Sequence, residues 1–366
     1  MSNEEPRNTK KEISDKTKEE FLKEFPEFEK KQPVKNQHYV PQFYLKHFSM
    51  HPDKKTIQAY WYKQKRCIEN SVESTCREKY TYGENSIVEW SLATLEHDAS
   101  IIINKILSDP ENYVFYRPEY DVLLEFIMTL HARSIRLRDE YRQFLKDFGE
   151  KLPEHLGITD YTIKFPEEDF PYIFPLQFFG NVIVNYLQLQ PLVLINNTES
   201  EFFTSDCPVC IYNTAFIKEN LSYGAMSSGI QLYLPLSNRV ALLLFDPQYY
   251  TLSNNNSMNY FPSKYQIEEL NKIVIFNSRE CVIFGNSNNK KVIGEFSEKL
   301  KKKSPEITNI VSSNIETNSI IFSPQFYIKG MAHLTFLKQK KRITNRYDTF
   351  HKNEYDFNTN GLTQEK

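Results

Sequence analysis

Residues 36–48 of the chain read NQHYVPQFYLKHF, a short run that mixes aromatic side chains, two histidines and a proline. Polar and aromatic residues in such density are unusual for a linker and are poor filler for an apolar core. We therefore interpret the run as a binding site or the wall of one. His38, which carries an imidazole that can titrate near neutral pH, is its first candidate for chemistry.

Composition places the chain among ordinary globular proteins. Its 366 residues, 40% of them hydrophobic, are enough for a sizeable core, and the net charge of −2 provides no general basic field for nucleic acid. Its apolar runs are too short for a membrane span, and the N-terminus has no secretory apolar region. We therefore expect a cytoplasmic protein with no membrane partner. The five cysteines are an odd count in a long chain, which predicts reduced thiols.

Three segments follow from the distribution of charge and apolar residues. Residues 1–33 predict a charged N-terminal arm, and residues 34–285 predict a single domain, because no linker rich in Pro, Gly or Ser interrupts them. Residues 286–366 form a polar C-terminal extension with a short apolar segment. The chain has ten glycines and no glycine-rich phosphate loop, so a Walker or dinucleotide fold is not expected.

Hydrophobic periodicity predicts an α+β fold. The first half is helical and carries a small β-hairpin at 57–72, with helices at 89–107, 118–148 and 174–189. The second half predicts strands, including a hairpin at 230–245, that form an antiparallel sheet. Ser263 and Gln266 form a capping-box pattern at the start of a helix that would cover this sheet.

Two carboxylates lie on the apolar stripe of the helix predicted at 89–107. Glu89 and Glu96 are seven residues apart and share a face with Leu92, Ala99 and Ile103. A carboxylate on a buried face needs a partner to offset its desolvation. Arg133 can supply an internal salt bridge to Glu96, or it can grip an anionic group of a ligand. Arg136 and Arg138 are expected on the solvent-exposed face.

Ser205 and Asp206 stand where a predicted strand ends. They can cap a turn through bonds to the backbone, or they can face a ligand from a rigid base. Cys207 and Cys210 have the spacing of half a zinc site, but a second such pair is missing from the sequence. A divalent cation would suit His38, Glu96 and Asp206, although no local spacing supports a metal site; the cofactor therefore stays open.

These motifs together resemble the DUF4238 family, a family of mainly bacterial proteins of unknown function. The resemblance rests on HYVPQFYL at 38–45, the helical carboxylates Glu89 and Glu96, Arg133, the exit TSDxP at 204–208, the turn PLS at 235–237 and Asn271, and it covers about residues 36–285. The family pattern does not characteristically have a cysteine at position 207. It implies that scattered polar residues meet in one pocket. Those residues are His38, Gln42, Glu96, Arg133, Ser205 and Asp206, with Asn271 as a further ligand-binding residue.

Two functions of different classes remain open. The first is a hydrolase, in particular a nuclease-like effector that cleaves a phosphodiester in nucleic acid or a nucleotide. In it, His38, Glu96 and Asp206 are catalytic, and Gln42, Arg133, Ser205 and Asn271 bind the substrate. The second is a noncatalytic module that binds a ligand or a protein through the same groups. The sequence gives neither the substrate nor the oligomeric state.

Overall fold

The computed structural model describes residues 19–20, 22–26, 29, 32–82, 86–155, 186–214, 227–253, 258–285, 290–301, 310–314, 319–323 and 334–340. Most of the predicted N-terminal arm and much of the C-terminal extension therefore lie outside the described residues. The helix predicted at 174–189 also lies outside them, apart from its last four residues. None of the described helices combines the length and apolar character needed to span a bilayer.

Four of the six described α-helices lie in the first half of the chain. The six are α1 (Gln42–Lys46), α2 (Ile87–Ser108), α3 (Arg117–Ala132), α4 (Ile135–His155), α5 (Lys264–Asn277) and α6 (Lys290–Lys301). The helix predicted at 89–107 is confirmed as α2. The single helix predicted at 118–148 is wrong, because the chain breaks at Arg133 and Ser134 into α3 and α4. Ser134 restarts the helix, since its hydroxyl accepts a 3.3 Å hydrogen bond from the Leu137 amide.

Fifteen short strands complete the described fold. They are β1 (Asn36–His38), β2 (Thr56–Trp61), β3 (Arg66–Ser71), β4 (Arg77–Lys79), β5 (Gln190–Ile195), β6 (Thr204–Ser205), β7 (Cys210–Tyr212), β8 (Gln231–Pro235), β9 (Val240–Phe245), β10 (Tyr250–Leu252), β11 (Asn259–Tyr260), β12 (Cys281–Phe284), β13 (Ile310–Asn314), β14 (Ser319–Ser323) and β15 (Leu337–Gln339). The fold is therefore α+β, as the sequence predicts.

Two larger sheets organise these strands. The five-stranded sheet has the order β11-β5-β9-β8-β7 and is antiparallel except between β11 and β5. The four-stranded sheet has the order β3-β2-β12-β6 and is wholly antiparallel. The predicted hairpin β2-β3 is thus part of a sheet completed by strands from the second half of the chain. This pairing ties the two halves of the sequence into one sheet.

The run at 36–48 contributes mainly to the core. Tyr39, Val40, Tyr44, Leu45 and Phe48 are all buried, within a cluster that also includes apolar residues of α2 and α3. A second apolar cluster contains residues of both larger sheets and of α5. The capping box predicted for α5 is present, with Ser263 and Gln266 bonding each other's backbone amides. The packing leaves His38, at the end of β1, partly exposed.

Candidate functional site

A buried ion pair joins α2 to the end of α3. Arg133, the residue that caps α3, places Nη1 2.7 Å from Oε1 of Glu96. The Arg133 side chain is 1% exposed, whereas that of Glu96 is 26% exposed. The salt bridge predicted from the sequence is therefore present. Glu96 is the partner that contacts solvent, whereas Arg133 is enclosed.

Arg133 has hydrogen-bonding capacity beyond this pair. Its Nε and Nη2 atoms are buried and have no hydrogen-bond partner within the part of the chain that the structure describes. These two nitrogens carry parallel N–H bonds along one edge of the planar guanidinium. Such an edge matches two oxygens of a carboxylate or phosphate, so Arg133 presents a vacant bidentate donor.

Glu89 lies two turns before Glu96 on the same face of α2. Its Oε2 is buried and makes no hydrogen bond to any described residue. Burial, and to a lesser extent the negative charge of Glu96, raise the pKa of Glu89 to about 7, against the opposing positive charge of Arg133. Near neutral pH this carboxyl group therefore exists in both protonation states, as a general acid or base requires.

Tyr82 adds a phenol to the same group. It is buried, and its pKa is raised by burial while the nearby Arg133 guanidinium lowers it. Its hydroxyl lies beside the guanidinium without completing a hydrogen bond in the described structure. The protonated phenol is thus a further donor next to the vacant edge of Arg133.

His38 borders these residues from β1. Its Nε2 lies 3.0 Å from the carbonyl oxygen of Glu73. A carbonyl only accepts, so in the neutral ring Nε2 carries the proton and Nδ1 is the acceptor. Burial lowers the pKa of His38, and the positive charges of Arg77 and Arg133 act in the same direction, against the Glu73 bond and Glu96. The ring is therefore neutral near pH 7, with a lone pair on Nδ1.

We call these five residues, His38, Tyr82, Glu89, Glu96 and Arg133, the Arg133 cluster. Left-handed backbone conformations occur around it at Cys76, Tyr80 and Ser86, with φ of 55°, 54° and 60°. Each costs about 1–3 kcal/mol for a residue other than glycine. Ser86 directly precedes α2, and its hydroxyl accepts a 2.8 Å hydrogen bond from the Val34 amide. The backbone that positions Tyr82 and Glu89 is held by such local contacts.

Three predicted site residues, Ser205, Asp206 and Asn271, make hydrogen bonds to the backbone. Asp206 accepts hydrogen bonds from the amides of Arg279, at 3.1 Å, and Glu280, at 2.7 Å. Ser205 accepts a 3.1 Å bond from the Cys207 amide. Asn271 accepts from the Phe203 amide and donates to the Glu201 carbonyl, both at 2.9 Å.

The structure therefore brings together three of the seven predicted residues, His38, Glu96 and Arg133. Gln42 is half-buried at the start of α1 and makes no hydrogen bond to a described member of the Arg133 cluster. Tyr82 and Glu89 join the cluster although the sequence did not assign them a role. The seven-residue spacing from Glu96 was a signal for Glu89, whereas nothing in the sequence distinguished Tyr82.

Arg136 and Arg138 are buried, so the prediction that they face solvent is wrong. Arg136 bonds Oε1 of Glu140 at 2.6 Å and Oδ1 of Asn277 at 2.9 Å. Arg138 holds both oxygens of Glu78 in β4, at 2.6 and 3.0 Å. The first turns of α4 are covered by β4 and by the end of α5, which the periodicity of α4 alone could not indicate.

The cysteine pair at 207 and 210 is packed in the interior. Both thiols are fully buried, and burial raises the pKa of each. The Asn277 amide donates to the carbonyls of Cys207 and Val209, which fixes the loop between the cysteines. Among the described residues, no group of three or more His, Cys, Asp and Glu side chains is placed to hold a metal ion.

The chain belongs to the family described as "Protein of unknown function (DUF4238)", whose family model matches residues 36–288. This match contains every member of the Arg133 cluster. Searches of curated proteins and of solved structures each found no match.

Proposed function

We propose that the chain is a hydrolase that cleaves a phosphate ester in a nucleic acid or nucleotide, acting through the Arg133 cluster. The observation that carries this proposal is the pair of unbonded, buried donors on Arg133, which lie next to a carboxyl group and an imidazole suited to proton transfer. We place the activity in the cytoplasm of a bacterial cell.

Each residue has a role that follows from its surroundings. Nε and Nη2 of Arg133 hold two phosphate oxygens, and Glu96 orients the guanidinium through Nη1. Nδ1 of His38 takes a proton from the attacking water as the new P–O bond forms. Protonated Glu89 gives its proton to the leaving oxygen as the old P–O bond breaks. The two transfers balance, so the next cycle needs only a proton exchange with solvent.

A noncatalytic binding module is the second candidate. It is favoured by the ion pair with Glu96, which already balances the charge of Arg133 and would also serve a purely structural or ligand-binding role. In that case the cluster binds an anion without turnover.

Hydrolysis by the purified full-length chain tests the proposal. Single-stranded DNA, RNA and bis(p-nitrophenyl) phosphate are incubated with the chain in Mg²⁺, in Mn²⁺ and in EDTA. We expect turnover that falls about 10²- to 10⁴-fold in His38→Ala and in Glu89→Gln. Asp98→Asn, an exposed substitution on α2, should keep wild-type activity. Absence of turnover in every condition, or full activity in both cluster variants, would reject the hydrolase.

A further inference from the structure

The charges around Arg133 restrict what the vacant edge can bind. Arg133 and Glu96 form a neutral pair, and His38 and Tyr82 are neutral at pH 7. Glu89 faces the pair from the same helix as Glu96. An added anion therefore meets no net positive charge, and it meets a second negative charge whenever Glu89 is ionised.

Both sides of the vacant site are buried. Nε and Nη2 of Arg133 and Oε2 of Glu89 are all inaccessible to water and unbonded among the residues described. An oxyanion on the Arg133 edge would sit in a region of low dielectric, where repulsion from an ionised carboxylate is strong. A protonated carboxyl group instead offers an O–H donor to the same oxyanion.

We propose that the Arg133 cluster binds the monoanionic phosphate of a phosphodiester together with one proton, which resides on Glu89. This inference rests on the proposed function in taking the ligand to be a phosphodiester. The bound state then has one negative charge in the cluster beyond the Arg133–Glu96 pair, and the three unbonded atoms of Arg133 and Glu89 gain partners.

The pKa of about 7 for Glu89 supports this coupling, since the proton is available at neutral pH and is lost above it. Besides Glu89, the titratable groups of the cluster are His38 in β1, Tyr82 before α2, Glu96 in α2 and Arg133 after α3, and Arg77 in β4 acts on His38 from beside it. Arginine and tyrosine keep their protons between pH 6 and 8.5. His38, whose pKa is lowered, is neutral over most of this range.

Calorimetric titration with dimethyl phosphate tests the proposal, because the charge of this diester is constant over the pH range used. Trimethyl phosphate, which is uncharged, is the matched control ligand. We expect the affinity for dimethyl phosphate to fall about tenfold per pH unit above pH 7. Titrations at pH 8 in buffers of different ionisation enthalpy should show uptake of about one proton per bound diester.

Three variants test which side chains hold the proton and the bound diester. Glu89→Gln, whose amide donates at every pH, should bind with an affinity that no longer depends on pH. Arg133→Lys, which loses the bidentate edge, should bind at least about tenfold more weakly at all pH values. Asp98→Asn should keep the wild-type profile. Circular dichroism of each variant establishes that it is folded.

A wild-type affinity that is constant between pH 6 and 8.5 overturns the proposal, as does a Glu89→Gln variant that keeps the pH dependence. Equal binding of dimethyl and trimethyl phosphate, or no binding of either, also overturns it. The measurement does not depend on turnover. Proton-linked binding without hydrolysis would therefore support this inference while rejecting the catalytic function.

Discussion

The Tyr44 hydroxyl donates a 2.6 Å hydrogen bond to the Pro235 carbonyl, at the end of β8. The same oxygen lies 2.8 Å from Oγ1 of Thr204 in β6. One buried phenol from the signature run thus joins two segments that lie about 160 and 190 residues farther along the chain. This part of the signature supports the architecture, while His38 at its start borders the candidate site.

Substitution of Tyr44 by Phe should lower the free energy of unfolding by about 1–3 kcal/mol, because it leaves a buried carbonyl and a buried hydroxyl without their partner. Urea denaturation followed by circular dichroism measures the change. Tyr265→Phe, at a position that is 54% exposed, is the matched control and should change stability little. Equal stability of the two variants would show that the Tyr44 bonds contribute nothing.

Asp206→Ala should reduce stability by about 1.5–3 kcal/mol, since its charged carboxylate accepts bonds from two backbone amides. Because these contacts serve the backbone of Arg279 and Glu280 and no described hydrogen bond joins Asp206 to the Arg133 cluster, the folded variant should bind dimethyl phosphate as the wild type does. Asp98→Ala controls for the loss of a carboxylate. Loss of binding in folded Asp206→Ala would return Asp206 to the site.

The contribution of Glu89 to stability should fall as the pH rises from about 4.5 to about 7, because burial raises the pKa of this carboxyl group to about 7 in the folded chain. Over that range the folded state holds a proton that the unfolded state has lost. Unfolding therefore releases this proton, and it becomes more favourable as the pH rises. The shift corresponds to at most about 3 kcal/mol, less for a carboxyl group that is partly exposed. The lowered pKa values of His38, His47 and His131 act in the opposite direction on total stability, so the effect has to be isolated with a Glu89 variant.

Glu89→Gln should therefore gain stability relative to the wild type at pH 8 and much less at pH 4.5. Urea denaturation at both pH values measures the difference, and Asp98→Asn on the same helix serves as its control. An identical gain at both pH values would contradict a titrating Glu89.

Glu96→Gln should tighten the binding of dimethyl phosphate by up to about fivefold at pH 6, since the charge of Arg133 is then no longer balanced. The fall in affinity with pH should also begin at a lower pH, because Glu96 helps to raise the pKa of Glu89. Titration calorimetry checks both effects. Glu125→Gln, an exposed change on α3, should cause neither.

Thiol labelling should separate the five cysteines by burial. Cys67 is half-buried, whereas Cys76, Cys207, Cys210 and Cys281 are buried. Ellman's reagent should therefore modify about one thiol quickly in the folded chain and all five in urea. Fast labelling of Cys207 or Cys210, detected by peptide mass spectrometry, would contradict their burial.

Local sequence patterns were sufficient for much of the fold. The periodicity of α2, the alternation in β2 and β3 and the capping box of α5 each depend on neighbouring residues, and each is confirmed. The break after α3 was missed because a serine inside an apolar repeat has little effect on the period. The pairing of β2 with β12 was also missed, since strand order depends on contacts between distant segments.

The ion pair between Glu96 and Arg133 was predictable because one helix face carries the pattern. Glu96 and its partner Arg133 followed from the cost of burying a carboxylate. Asp206 and Asn271 mark the limit of such reasoning: a polar side chain near a buried strand can serve a ligand or a backbone amide, and the sequence does not distinguish the two roles. Their hydrogen bonds show that they satisfy the backbone.

The interruption between α3 and α4 has a further consequence for two arginines. In an unbroken helix Arg133 and Arg136 would project in nearly the same direction, since they are three residues apart. Here Arg133 reaches Glu96 while Arg136 reaches Glu140 and Asn277. The two-residue break thus lets neighbouring arginines reach different parts of the fold: Arg136 uses its donors in the interior, whereas Arg133 keeps two buried donors without a partner among the described residues.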